Sequence, residues 1–184
     1  MDLCRRARAG FNDAFFVVRS AMNERASPSL FPRAVALGGV IAGTLDLLYA
    51  FTFWGVQGIA PLRILQSVAA GWLGRDAFTA GADSAALGAA SHYGIALAMA
   101  WVFYLAARRL PALARHPFRA GALYGVLLYA AMTYVVVPLS AAGTGTWPAW
   151  QWQQLVHLVA HAVLVGVPCG LATRCAFPRN GGHA

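Results

Sequence analysis

The sequence predicts an all-α integral membrane protein, a four-helix bundle in which each long helix crosses the bilayer. Three observations predict it. Of 184 residues, 59% are apolar and only 11% are charged, against about a quarter charged in an average soluble domain. Four stretches are long and apolar enough to cross a bilayer core, which takes roughly 20 helical residues. The arginines fall between these stretches and mostly on one side of them. This composition argues against a soluble enzyme, a disordered tail and a nucleic-acid-binding domain. The net charge of +8 is explained by arginines flanking apolar runs, so no nucleic-acid partner is expected.

Residues 1–33 form a separate N-terminal segment. Its apolar core, Ala14 to Val18, is too short for a secretory signal, and no small-residue cleavage site follows. Phe11, Phe15, Val18 and Met22 recur at helical spacing, with Asp13, Arg19 and Asn23 between them. This pattern predicts an amphipathic helix on the cytoplasmic membrane surface, where arginines meet anionic lipid. A partner-binding helix is the alternative. Pro28 and Pro32 are expected to break it before the first span.

The first span is Ala34–Val56, with Asp46 as its one charge. The segment that follows, Gln57–Ser84, contains a helix started by Pro61. Leu62, Leu65, Val68 and Trp72 share one face of it. About a dozen residues cannot span a bilayer, so this is an interfacial or re-entrant helix at the outer side. Gln66 and Ser67 favour a packed lid over a floating anchor. The second span is Ala85–Ala107, the third Ala120–Ser140 and the fourth Gln153–Thr173, none with a formal charge. Residues 175–184 form a tail. Gly39-xxx-Gly43, Ala90-xxx-Gly94-xxx-Ala98 and Gly121-xxx-Gly125 predict close helix contacts, which drive association in lipid. Pro138 and Pro168 lie near span ends, where each can bend the last turn and free a carbonyl; at Pro168 helix termination is expected, with a hinge as the alternative.

All 14 basic residues are arginine, and only Arg63 and Arg75 fall on the side of the first and third connections. The positive-inside rule then places both termini in the cytoplasm, as an even number of spans requires. Trp54, Trp72, Trp147, Trp150 and Trp152 fall towards the opposite surface and read as an outer aromatic belt. Trp101 does not fit that pattern. Cys4, Cys169 and Cys175 lie towards the cytoplasmic side, with no metal-site spacing, and are expected to stay reduced.

The chemically informative residues are those that are costly in lipid, about 2.5–3.5 kcal/mol for an acid at mid-span. Asp46, His92, His157 and His161 all fall between the midplane and the outer surface, at about 1.5 Å of rise per residue. Thr133 and Tyr134 reach the same layer from the third span. His157 and His161, spaced i and i+4, share a face. With Asp46 and His92 they could make a His₃Asp metal site suited to zinc or another divalent ion. Two histidines from different helices could instead ligate haem. Asp46 and the histidines could relay protons or bind a solute. The structural alternative is an interhelical hydrogen-bond clamp.

Four features occur together: AGTLDLLYAFTFWG in the first span, PLRILQSVAAGWLG after it, a histidine early in the second span, and VVVPLSA closing the third before a histidine-bearing fourth. In this layout, from about Arg33 to Arg174, the chain resembles uncharacterised bacterial inner-membrane proteins, broadly YagU-like. The resemblance implies a four-helix protein of the bacterial cytoplasmic membrane. It implies no catalytic residue and no cofactor. The expected partners are the lipid bilayer and either a second copy or a membrane complex. An accessory or assembly subunit without chemistry of its own is the alternative function.

Overall fold

The computed structural model describes residues 31–143 and 149–177. The amphipathic helix expected over residues 11–22, Cys4 and Trp147 lie outside them. Among the described residues the chain is all-helical, with no strand. Four helices are long and apolar enough to cross a membrane: α1 (Phe31–Gly55), α3 (Gly81–Arg109), α5 (Pro117–Leu139) and α6 (Trp152–Cys175). Between α1 and α3 lie α2 (Pro61–Leu73) and a 3₁₀ turn, Gly74–Phe78. The short α4 (Pro111–Arg115) joins α3 to α5 at the opposite end of the bundle.

Small residues set the packing. Gly39 of α1 faces the Leu97 backbone of α3, and Gly43 faces Tyr93 and Ala96. Gly38 faces Ala172 of α6 on its other side. The tightest contact joins α5 to α6. A Cβ on Gly121 or Gly125 would run into the backbone of Gly166 or of His161 and Ala162. Gly170 lies in turn against the Pro117 carbonyl. Such backbone approach gives dispersion contact, the main attraction between helices in lipid. The core inside this frame is likewise small, with Ala42, Ala100, Phe103, Val165 and Cys169 buried together. Tyr124 of α5 donates to the Met99 carbonyl of α3 at 2.8 Å.

Three sequence expectations change. Ala90, Gly94 and Ala98 point outward, and a Cβ at Gly94 would meet nothing. The row of α3 that does pack is Ser84, Ala85, Gly88, Ala96, Ala100 and Phe103. Pro32 does not precede the first long helix but sits in its first turn, where a missing N–H costs nothing. Pro168 does not end its helix, since α6 continues to Cys175. The reason is local. Pro138 and Pro168 each follow a π turn by two residues, Met132–Val136 and His161–Gly166. A π turn widens the helix and relieves the clash of a proline ring with the carbonyl four residues back.

The helix after the first long helix is packed. Gly88 of α3 receives the Leu65 carbonyl of α2, with Ala69 and Ala70 buried beside it. Gln66, only 2% exposed, donates to the Gly81 carbonyl at 2.9 Å. Ser84 Oγ donates to the Ala77 carbonyl at 2.6 Å, closing the 3₁₀ turn onto α3. Among the described residues the buried Gln66 Oε1 atom has no hydrogen-bond partner, a cost of about 1–3 kcal/mol that the close α2–α3 contact must offset. Trp72 donates its indole N–H to Ser91 Oγ at 3.0 Å.

These contacts predict opposite outcomes for two formally identical changes. Gly166→Ala should destabilise the folded chain by about 1–3 kcal/mol, the usual range for overpacking. Gly94→Ala should leave it unchanged or slightly more stable. Thermal unfolding of both variants in the same detergent checks this, and equal Tm values would contradict the α5–α6 contact.

Candidate functional site

The geometry divides the polar residues inside the bundle into two groups. Two histidines are tied to neighbouring helices. His92 on α3 donates Nε2–H to the Gly43 carbonyl of α1 at 2.8 Å; a carbonyl only accepts, which fixes that tautomer. His157 on α6 shares a 2.7 Å hydrogen bond between Nδ1 and the Tyr49 hydroxyl of α1. Its ring also packs edge-on to Tyr49 and Phe53 and stacks near Trp54. Thr44 and Tyr93 add a second α1–α3 link, hydroxyl to hydroxyl, at 3.1 Å.

Asp46 and His161 form the second group. Asp46 Oδ1 lies 3.9 Å from His161 Nδ1, beyond hydrogen-bond distance. His161 Nδ1 lies 3.1 Å from the His157 carbonyl, so Nδ1 carries the proton and Nε2 keeps its lone pair in the neutral ring. The Asp46 carboxylate accepts no hydrogen bond from any described residue. Both side chains keep about a fifth of their surface accessible, 20% and 21%. That surface faces a cavity of about 200 Å³ between α1, α2, α3, α5 and α6. His92 shares its wall, and Val68 of α2, Met99, Met132 and Val165 supply apolar lining.

The π turns help to make this place. His161 is the first residue of one and Met132 the first of the other. π turns occur often at functional sites because they rotate side chains out of the regular helical row. They also explain why Thr133 and Tyr134 do not join Asp46. Met132 takes the cavity wall, while the Tyr134 hydroxyl lies 3.4 Å from Gln154 Oε1. His157 does not line the cavity either. Among the described residues, no group of three or more His, Cys, Asp or Glu side chains is placed to hold a metal ion.

Tyr49 and the Gly43 carbonyl were not singled out by sequence reasoning. Tyr49 follows Asp46 by three residues, one helical turn on, and that spacing was a usable signal. The Gly43 carbonyl has no signal in sequence, because the acceptor is backbone.

If the Tyr49–His157 contact is a clamp, its loss should cost stability. Tyr49→Phe and His157→Phe should show a coupling energy of about 0.6 kcal/mol, the average for such bonds between membrane helices. A double-mutant cycle on denaturant unfolding in detergent measures it.

Comparison with family models, with curated proteins and with solved structures finds no match to this chain. The functional reading therefore rests on the site's own geometry.

Proposed function

We propose that this chain is a multi-pass protein of a bacterial cytoplasmic membrane whose Asp46–His161 pair is an intramembrane protonation site. On this reading α1, α3, α5 and α6 span the bilayer as a bundle. Both termini and α4 are cytoplasmic, and α2 lies at the outer surface over the Asp46 cavity. Support for the spanning arrangement comes from large apolar side chains exposed along all four long helices, among them Leu37, Val40, Leu123, Leu127, Val159 and Val163. Contiguous exposed apolar surface of this extent is foreign to soluble monomers. The arginine asymmetry supplies the direction.

The observation that carries the protonation site is the contrast among the four Asp and His residues. His92 and His157 are committed to direct hydrogen bonds at 2.8 and 2.7 Å. Asp46 stands 3.9 Å from the His161 ring, accepts no hydrogen bond from the described residues and faces a cavity. A carboxylate offers about four acceptor sites, and a purely structural clamp would fill them from the protein. Here they are left to whatever occupies the cavity. At about 200 Å³ the cavity is below the 300–1,000 Å³ of drug-sized pockets. It suits a few water molecules or a very small solute. Protonation of Asp46 removes its charge from a low-dielectric place, and the neutral His161 ring can take a proton only at Nε2, since Nδ1 already donates to the His157 carbonyl.

Proton flux into vesicles tests the reading. Wild-type protein in liposomes should dissipate an imposed pH gradient faster than protein-free liposomes. Asp46→Asn should slow this at least tenfold while inserting and unfolding like wild type. His161→Gln should slow it as well, and Tyr49→Phe should not. Equal flux in wild type and Asp46→Asn, or no flux in wild type, would leave Asp46 as a structural group only.

Orientation is tested separately. Single cysteines introduced at Ser29 and at Gly58 into a chain with its native cysteines replaced should differ in labelling by an impermeant thiol reagent on intact cells. Gly58→Cys should label and Ser29→Cys should not. The reverse result would invert the proposed topology.

A further inference from the structure

A second, larger concavity lies away from Asp46. The turn after α1 folds the chain back on itself: the Ile59 N–H bonds the Trp54 carbonyl, and Gly58 takes φ +84. Pro61 then starts α2. Between this turn, the first two turns of α2 and the 3₁₀ turn lies a concavity of about 660 Å³, within the range of small-molecule sites. Trp54, Ile59, Ile64 and Phe78 give it apolar walls, and Arg63 is its one charged side chain.

Arg63 is held in place. Its guanidinium carbon lies 4.7 Å from the centre of the Phe78 ring, and one Nη1–H is donated to the Phe78 carbonyl at 3.2 Å. A guanidinium carries five N–H donors, and no described residue accepts the others. The first turn of α2, beside Arg63, adds the positive end of a helix dipole. Arg63 is also one of only two arginines, with Arg75, on the sparsely charged side of the chain.

From this arrangement we infer that the Arg63 concavity binds the phosphate of an anionic phospholipid, with the first carbons of its acyl chains against Trp54, Ile59, Ile64 and Phe78. The inference rests on the membrane-spanning reading but not on the protonation site. Arginine is suited to phosphate because its planar fork matches two oxygens at once. The walls distinguish a lipid from free phosphate. A dissolved anion gains nothing from four apolar side chains, whereas an acyl chain does. The neighbouring Val56 and Leu62 are exposed, so the apolar surface continues outward from the concavity as a lipid would need. Trp54 stands at its edge, and indole rings favour the headgroup level of a bilayer.

The test uses the full chain purified from membranes in one detergent, with wild type, Arg63→Ala, Arg63→Lys and Arg75→Ala in parallel. Each is titrated with phosphatidylglycerol, with phosphatidylcholine and with inorganic phosphate, and bound lipid is counted by native mass spectrometry alongside Tm. Wild type and Arg75→Ala should bind phosphatidylglycerol and gain Tm from it, with little response to the other two probes. Arg63→Ala should bind it at least tenfold more weakly, and its Tm should gain little on adding phosphatidylglycerol relative to its own lipid-free value. Arg63→Lys should fall between, since it keeps the charge and loses the fork. Unchanged phosphatidylglycerol binding by Arg63→Ala overturns the inference. Equal binding of phosphatidylcholine overturns the preference for an anionic lipid, and an equal response to inorganic phosphate overturns lipid as the ligand. A chain recovered outside the membrane fraction would overturn the spanning reading itself, a result distinct from any of these.

Discussion

The contact on which the rest of the structure depends is the backbone approach of α5 and α6 at Gly121, Gly125, Gly166 and Gly170. No side chain separates the helices there. That closeness sets the distance between α5 and α6, since a side chain at any of these positions would run into the facing backbone. It also decides where His161 goes. The His161 carbonyl lies against Gly125, so the residue is anchored through its backbone and its ring is left to face α1. The π turn beginning at His161 supplies the rotation. Without the close contact, neither the ring direction nor its approach to Asp46 would be fixed.

The polar groups inside the bundle follow a consistent economy. A polar side chain away from water costs free energy unless it is hydrogen-bonded, and most of these are. Tyr124 reaches the Met99 carbonyl, His92 the Gly43 carbonyl, Tyr49 the His157 ring and Thr44 the Tyr93 hydroxyl. Each of these bonds joins two different helices, so satisfying the group and fixing the bundle are one act. Asp46 stands apart from that pattern while occupying the centre of it. It is the group most costly to place in lipid and the one for which the described residues provide no hydrogen bond.

The parts of this arrangement legible in the sequence were those that depend on composition and spacing along the chain. The four apolar stretches announce the long helices, and residue type singles out Asp46 and the histidines. Rotation about each helix is what one-dimensional reading lacks. Ala90, Gly94 and Ala98 have the same spacing as Gly121 and Gly125, yet one row faces outward and the other faces a helix. Gly166 and Gly170, also four apart, lie against α5 as closely as Gly121 lies against α6, but they flank Pro168, a residue type that in sequence signals a helix end. Pro168 is accommodated by a π turn, and a π turn has no reliable sequence signature. Of the four Asp and His residues, three line one cavity and His157 does not. That division depends on Tyr49 and Phe53 on the neighbouring helix, which capture the His157 ring.

One short helix borders both concavities. Val68 of α2 lines the Asp46 cavity, and Arg63, Ile64 and Ser67 line the wider one. The helix has 13 residues, so these positions lie within two turns of each other on a single rigid rod. Its seat on α3 is the Gly88 contact and the Gln66–Gly81 bond. The backbone positions of Val68 and Arg63 are therefore set together by the seat of α2 on α3, while the Arg63 guanidinium is set separately by its contacts with the Phe78 ring and carbonyl.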